Sequence, residues 1–130
     1  MRERLEVLVR QEEAARLRRL SVDRAGDPRG FVRADATWNA AHRQLAAGVV
    51  EAVRAMGLLR EASKALRGTG YAINRFPLQE GVLRVELTGG PDSPLEFLQV
   101  TAAAEALRAV LDDFHSATGV EVRMPDELLR

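Results

Sequence analysis

The chain has 130 residues, 46% hydrophobic and 29% charged, with nineteen basic residues balancing nineteen acidic ones and no cysteine. This composition suits one globular domain over 1–130 that buries about two thirds of its unfolded surface, and it excludes disulfides, thiolate nucleophiles and cysteine-ligated metals. A zero net charge provides no long-range field to attract nucleic acid or an anionic membrane, and no apolar run is long enough to cross a bilayer.

Residues 1–6 mix both charge signs and lead into no apolar signal segment, so the cytoplasm is the expected compartment. Strong helix formers without glycine or proline predict a first helix over 2–20, with Leu5, Leu8, Val9, Leu17 and Leu20 as an imperfect apolar face. Residues 21–30 concentrate turn formers and read as an ordered connector, with Phe31 and Val32 anchoring its far end. Asp35 is then the expected N-cap of a long helix over 35–67, which Gly68 and Gly70 stop.

Within that helix Trp38, Leu45, Ala52, Leu59 and Leu66 recur at heptad spacing. Ala41, Gly48, Ala55 and Ala62 form a small-residue line, and His42, Val49, Met56 and Ser63 another line. Small side chains let a second helix approach closely, so this flank is expected to be a packing surface. Gly57 lies off the small-residue line and marks a bend or a division of the helix.

After Gly70 the period changes to 2. Strands are expected over 71–76 and 82–88, joined by a hairpin connection at 77–81. A third strand is expected over 95–100. Thr101 would then cap a helix over 102–117 carrying the apolar stripe Ala103, Leu107, Val110, Leu111, Phe114 and Ala117, and 120–123 is a last short strand. The expected fold is α+β: an N-terminal helical hairpin with one long helix, then a small, mainly antiparallel sheet of three or four strands covered by a late helix.

Few residues suggest chemistry. His42 could serve as a general base, although a lone histidine near a heptad seam is commonly a packed structural residue. Asp112 and His115 share a helix face, a spacing that would suit half a metal site, but no further ligands are apparent. Tyr71, Asn74 and Arg75 could join Arg84 in holding an anion; alternatively Arg75, Arg84 and Glu86 make cross-strand contacts on an outward face. No serine sits in a nucleophile elbow, and neither glycine pair forms a phosphate loop. Arg16, Arg18 and Arg19 could meet phosphates, but Glu12 and Glu13 lie one helical turn earlier, where they invite internal ion pairs.

The leading expectation is a non-enzymatic interaction or assembly module, forming a homo-oligomer or binding a protein partner through Trp38, Leu45, Val49, Met56, Leu59 and Leu66. The alternative is a small-molecule-binding protein or acid–base enzyme in which His42, Tyr71, Arg75, Asp112 or His115 contribute to a pocket. Nucleic-acid binding through the N-terminal arginines ranks below both, and no cofactor or metal is expected.

Overall fold

A computed structural model describes residues 1–129. Helix α1 spans Arg2–Ser21 and α2 spans Pro28–Met56; the two lie side by side as a hairpin. Helix α2 begins seven residues before the expected start, because Asp27 rather than Asp35 is the N-cap. The Asp27 carboxylate accepts from the Gly30 amide at 3.0 Å, and Pro28 occupies the first turn, where its missing N–H costs nothing. Asp35 is thereby placed inside the helix.

Gly57 divides the long helix. It adopts φ +62°, ends α2 and leads into α3 over Leu58–Ala65. The left-handed conformation strongly favours glycine, so this residue redirects the chain where an alanine would be strained. Helix α3 packs on α4, the late helix over Pro94–Thr118.

The expected strand over 95–100 is instead the beginning of α4. The Ser93 hydroxyl accepts from the Glu96 amide at 3.2 Å, and the Glu96 carboxylate accepts from the Asp92 amide at 2.9 Å, with Pro94 opening the first turn. The Ser93 cap satisfies the Glu96 amide, which a helix start otherwise leaves unpaired, while the Glu96 carboxylate ties down the amide of the residue before the cap, and together they prevail over the strand-like run from Leu95 to Val100. Thr101 therefore lies within the helix rather than at its cap. Gly119, at φ +74°, terminates α4.

Between α3 and α4 the chain forms a bent β-hairpin. Strand β1 (Tyr71–Arg75) pairs antiparallel with β4 (Glu86–Gly89), and β2 (Leu78–Gln79) pairs antiparallel with β3 (Val82–Arg84). A register shift between Ile73 and Arg75 precedes Pro77, which cannot donate to a ladder, and the hairpin is split there into two sheets. Strand β5 (Glu121–Arg123) then joins β3 in parallel. The fold is accordingly α+β, with a helical N-terminal part, small sheets and a late helix.

The core draws Leu45, Val49 and Ala52 from α2, Leu58, Ala62 and Leu66 from and beside α3, Leu83 from β3, and Leu107, Leu111 and Phe114 from α4. Gly48 does what the small-residue line predicts. A Cβ placed there would approach Leu5 Cδ2 to 2.9 Å and Leu8 Cδ1 to 3.1 Å, so α1 and α2 meet closely at this point. The expected contact surface is thus largely consumed within the chain: Leu45, Val49 and Leu66 are buried, Met56 packs against the core, and only Leu59 remains largely in solvent at 53% exposure. Leu45→Ala is expected to lower unfolding free energy by about 2–5 kcal/mol and Leu59→Ala by less than about 0.5 kcal/mol, measured by urea denaturation. Equal losses would contradict this placement.

Candidate ligand-binding cleft

The inward stripe of α1 changes character along its length. Leu5, Leu8 and Val9 occupy the first half, but the same face continues as Glu12, Arg16 and Arg19. On α2 the change is mirrored: Leu45, Gly48 and Val49 line the apolar half, and Asp35, Trp38 and His42 the other. The helical hairpin therefore has a dry end and a polar end. The tip of the β2–β3 hairpin stands against the polar end and completes a cleft of about 550 Å³, within the usual range for small-molecule sites.

Glu12 organises the polar end. It is 0% exposed, and its Oε1 accepts from the Trp38 indole Nε1–H and from Arg16 Nε, both at 3.1 Å. The Glu12–Arg16 pair thus has the i, i+4 spacing foreseen from sequence, but it lies inside the protein rather than on a solvated face. Arg19 donates to Asp35 at 2.6 Å, with its guanidinium 5.4 Å from the Phe31 ring centre and 5.2 Å from that of Trp38. Cation–π contact and ion pairing together fix this arginine at the rim. The Trp38 and His42 rings stack with centroids 5.5 Å apart and an interplanar angle of 27°.

The third wall comes from the turn between β2 and β3. Glu80 and Gly81 both have positive φ, +52° and +76°, the combination of a type I′ two-residue hairpin turn. A non-glycine residue in that region costs on the order of 1 kcal/mol. Gly81 is buried, and a Cβ there would lie 3.3 Å from Glu12 Oε2, so glycine serves both the turn and the close approach to the carboxyl group. Gln79, Glu80 and Arg84 line the cleft beside Leu20 and Leu78.

Three buried side-chain polar atoms lack a hydrogen-bond partner among the described residues: Glu12 Oε2, His42 Nδ1 and Arg84 Nε. His42 and Arg84 line the cleft, and Glu12 lies directly behind it, bonded to the lining residues Arg16 and Trp38. An unpaired buried polar group costs about 1–3 kcal/mol, so three of them at one place are a localised expense of the fold.

The expected ligand residues separate. His42 is in the cleft; Tyr71, Arg75, Asp112 and His115 do not line it. Tyr71 packs against the core beside β4, and His115 Nδ1 lies 2.8 Å from the Val120 carbonyl oxygen at the end of α4. Asp112 is exposed and is not drawn, with His115, into a group of three metal-ligating side chains among the described residues. Of the foreseen interaction residues, Trp38 alone lines the cleft. Glu12, Arg16, Arg19 and Gln79 were not among the expected pocket residues. The available signal was the heptad line Leu5–Glu12–Arg19, which puts a carboxyl group where α1 faces its neighbour.

Arg75 makes the cross-strand contact instead, donating to Glu86 at 2.9 Å, and Asn74 donates to the same carboxylate at 2.5 Å. Those two hydrogen bonds, the arginine's first, hold the Glu86 pKa below the ordinary glutamate value. A carboxylate depressed in the folded state contributes stability fully above its ordinary pKa, and that contribution is lost as pH falls through the folded value. Comparison with protein-family models, curated proteins and solved structures returns no match.

Two outcomes check this geometry. Trp38→Phe keeps an aromatic ring but removes the donor to Glu12, and should destabilise by about 1–3 kcal/mol in chemical denaturation; no loss would remove the bond from the account. Arg75→Ala should raise the Glu86 titration midpoint in carboxyl-detected NMR, whereas an unmoved midpoint would assign the depression elsewhere.

Proposed function

We propose that this protein binds a small molecule in the cleft between α1, α2 and the β2–β3 hairpin. The observation that carries the reading is the pair of unpaired buried polar atoms, His42 Nδ1 and Arg84 Nε, on residues lining one concave site walled by the chain's single tryptophan, with a third, Glu12 Oε2, directly behind it. Buried polar groups are normally satisfied, and a fold tolerates exceptions where they serve binding or chemistry. The alternative expected from sequence is retained for His42, with a different set of companions.

Amide NMR with a library of small polar and aromatic fragments tests this. Shift changes concentrated at 16–20, 38–42 and 78–84 are expected, accompanied by altered Trp38 fluorescence. Hits scattered over the surface, or none reaching the cleft, would contradict the proposal.

A protein-contact role keeps one supporting observation, on a different element from the one sequence favoured. Leu95, Phe97 and Leu98, in the first turns of α4, are 68%, 67% and 77% exposed. Exposed apolar clusters of this kind mark contact surfaces in soluble proteins. Self-association through them would appear as a mass above 14.3 kDa in concentration-dependent light scattering, reversed by Leu98→Lys. A constant monomer mass would remove it. Nucleic-acid contact has less support, because the Nε groups of Arg16 and Arg19 are already held by Glu12 and Asp35.

A further inference from the structure

The charges at the cleft separate into two pairs and a remainder. Arg16 is matched by Glu12 and Arg19 by Asp35. Arg84, at the end of β3, enters no ion pair with a carboxylate among the described residues, although it is half-buried and its Nε is shielded from solvent without a partner. Glu80 is the one acidic residue lining the cleft, and it is exposed and unbonded to Arg84. A guanidinium whose Nε is shut off from water without a partner leaves a donor unsatisfied, and its fixed fork of donors suits a planar carboxylate.

The uncharged part of the lining is mostly apolar or aromatic, with Gln79 and the His42 ring nitrogen as its polar groups. Leu20, Leu78 and the Trp38 ring share the cleft with Arg84. We infer that the ligand is a small monocarboxylic acid with an apolar body, its carboxylate paired with Arg84 and its body against Leu20, Leu78 and Trp38. Arg84 is the one arginine of the lining without an ion-pair partner and its fork can pair with one carboxylate, while the negative Glu80 in the same lining disfavours the second charge of a phosphate monoester. This inference rests on the cleft being the binding site and adds the chemical class that it takes.

The experiment titrates the full chain with octanoate below its micellar concentration, with octanamide as the uncharged counterpart, and with acetate as the head group alone. Binding is read from Trp38 emission and from the amide shifts of residues 78–84. Octanoate should bind at least about tenfold more tightly than octanamide, the size of a charge-assisted hydrogen bond, and at least about tenfold more tightly than acetate. Arg84→Met should reduce the acid-to-amide preference to less than about twofold while leaving octanamide binding in place, whereas Arg43→Gln, on an exposed part of α2, should leave the preference intact.

Equal binding of acid and amide at the cleft would overturn the carboxylate assignment while leaving the small-molecule reading standing. Equal binding of octanoate and acetate would overturn the apolar body. Preference retained in Arg84→Met would overturn the role of that arginine. If the variant does not fold, the wild-type acid-to-amide ratio and its decline with added salt decide the matter. Failure of every fragment and acid to perturb the cleft would instead remove the small-molecule reading itself.

Discussion

A carboxyl group held away from water at the centre of a helix–helix seam governs the polar half of this protein. Glu12 occupies a position on α1 that the heptad spacing from Leu5 would assign to an apolar side chain, and it is completely enclosed. Burying such a group demands compensation, and the surroundings supply it to one of the two oxygens. The Trp38 indole and the Arg16 guanidinium share one oxygen, and Gly81 approaches the other without a side chain. Each compensating element also contributes to the cleft: Trp38 and Arg16 are walls, and the Gly81 turn brings in the hairpin that carries Gln79, Glu80 and Arg84.

The helical hairpin consequently divides its labour along its axis. At the dry end, Gly48 lets the helices approach, and Leu5, Leu45 and Val49 join the main core. At the other end bulky, charged and aromatic side chains alternate between the two helices, and the third wall is a β-turn rather than more helix. Apolar burial concentrates in the first region; unpaired polar atoms and a left-handed glutamate, Glu80, concentrate in the second. That segregation is the pattern expected where a fold gives up local stability for recognition.

Much of the backbone was legible in the sequence because its signals are local. Gly57 ends a helix through its own φ, Gly119 terminates α4, and the change of period after Gly70 announces a hairpin. Errors arose where two local signals competed. The run Leu95 to Val100 resembles a buried strand, yet the Ser93–Glu96 capping pair decides for helix and leaves Leu95, Phe97 and Leu98 in solvent. Likewise Asp27 with Pro28 makes a better helix start than Asp35, whose carboxylate is committed to Arg19.

The cleft was less legible because its defining contacts are distant in sequence. Glu12 and Arg16 look like a routine surface pair until Trp38, twenty-six residues further on, closes over them. Arg84 looks like an outward strand residue until the bend near Pro77 separates its ladder from that of Arg75 and Glu86. The chain's single tryptophan offers a direct check, since its indole proton gives one resolvable NMR signal. Its hydrogen exchange should be slowed well below that of a solvent-exposed indole, because the N–H is donated to an enclosed carboxyl group, and Glu12→Leu should abolish the protection. Exchange at the rate of an unstructured tryptophan in the native chain would mean that Glu12 and Trp38 do not meet.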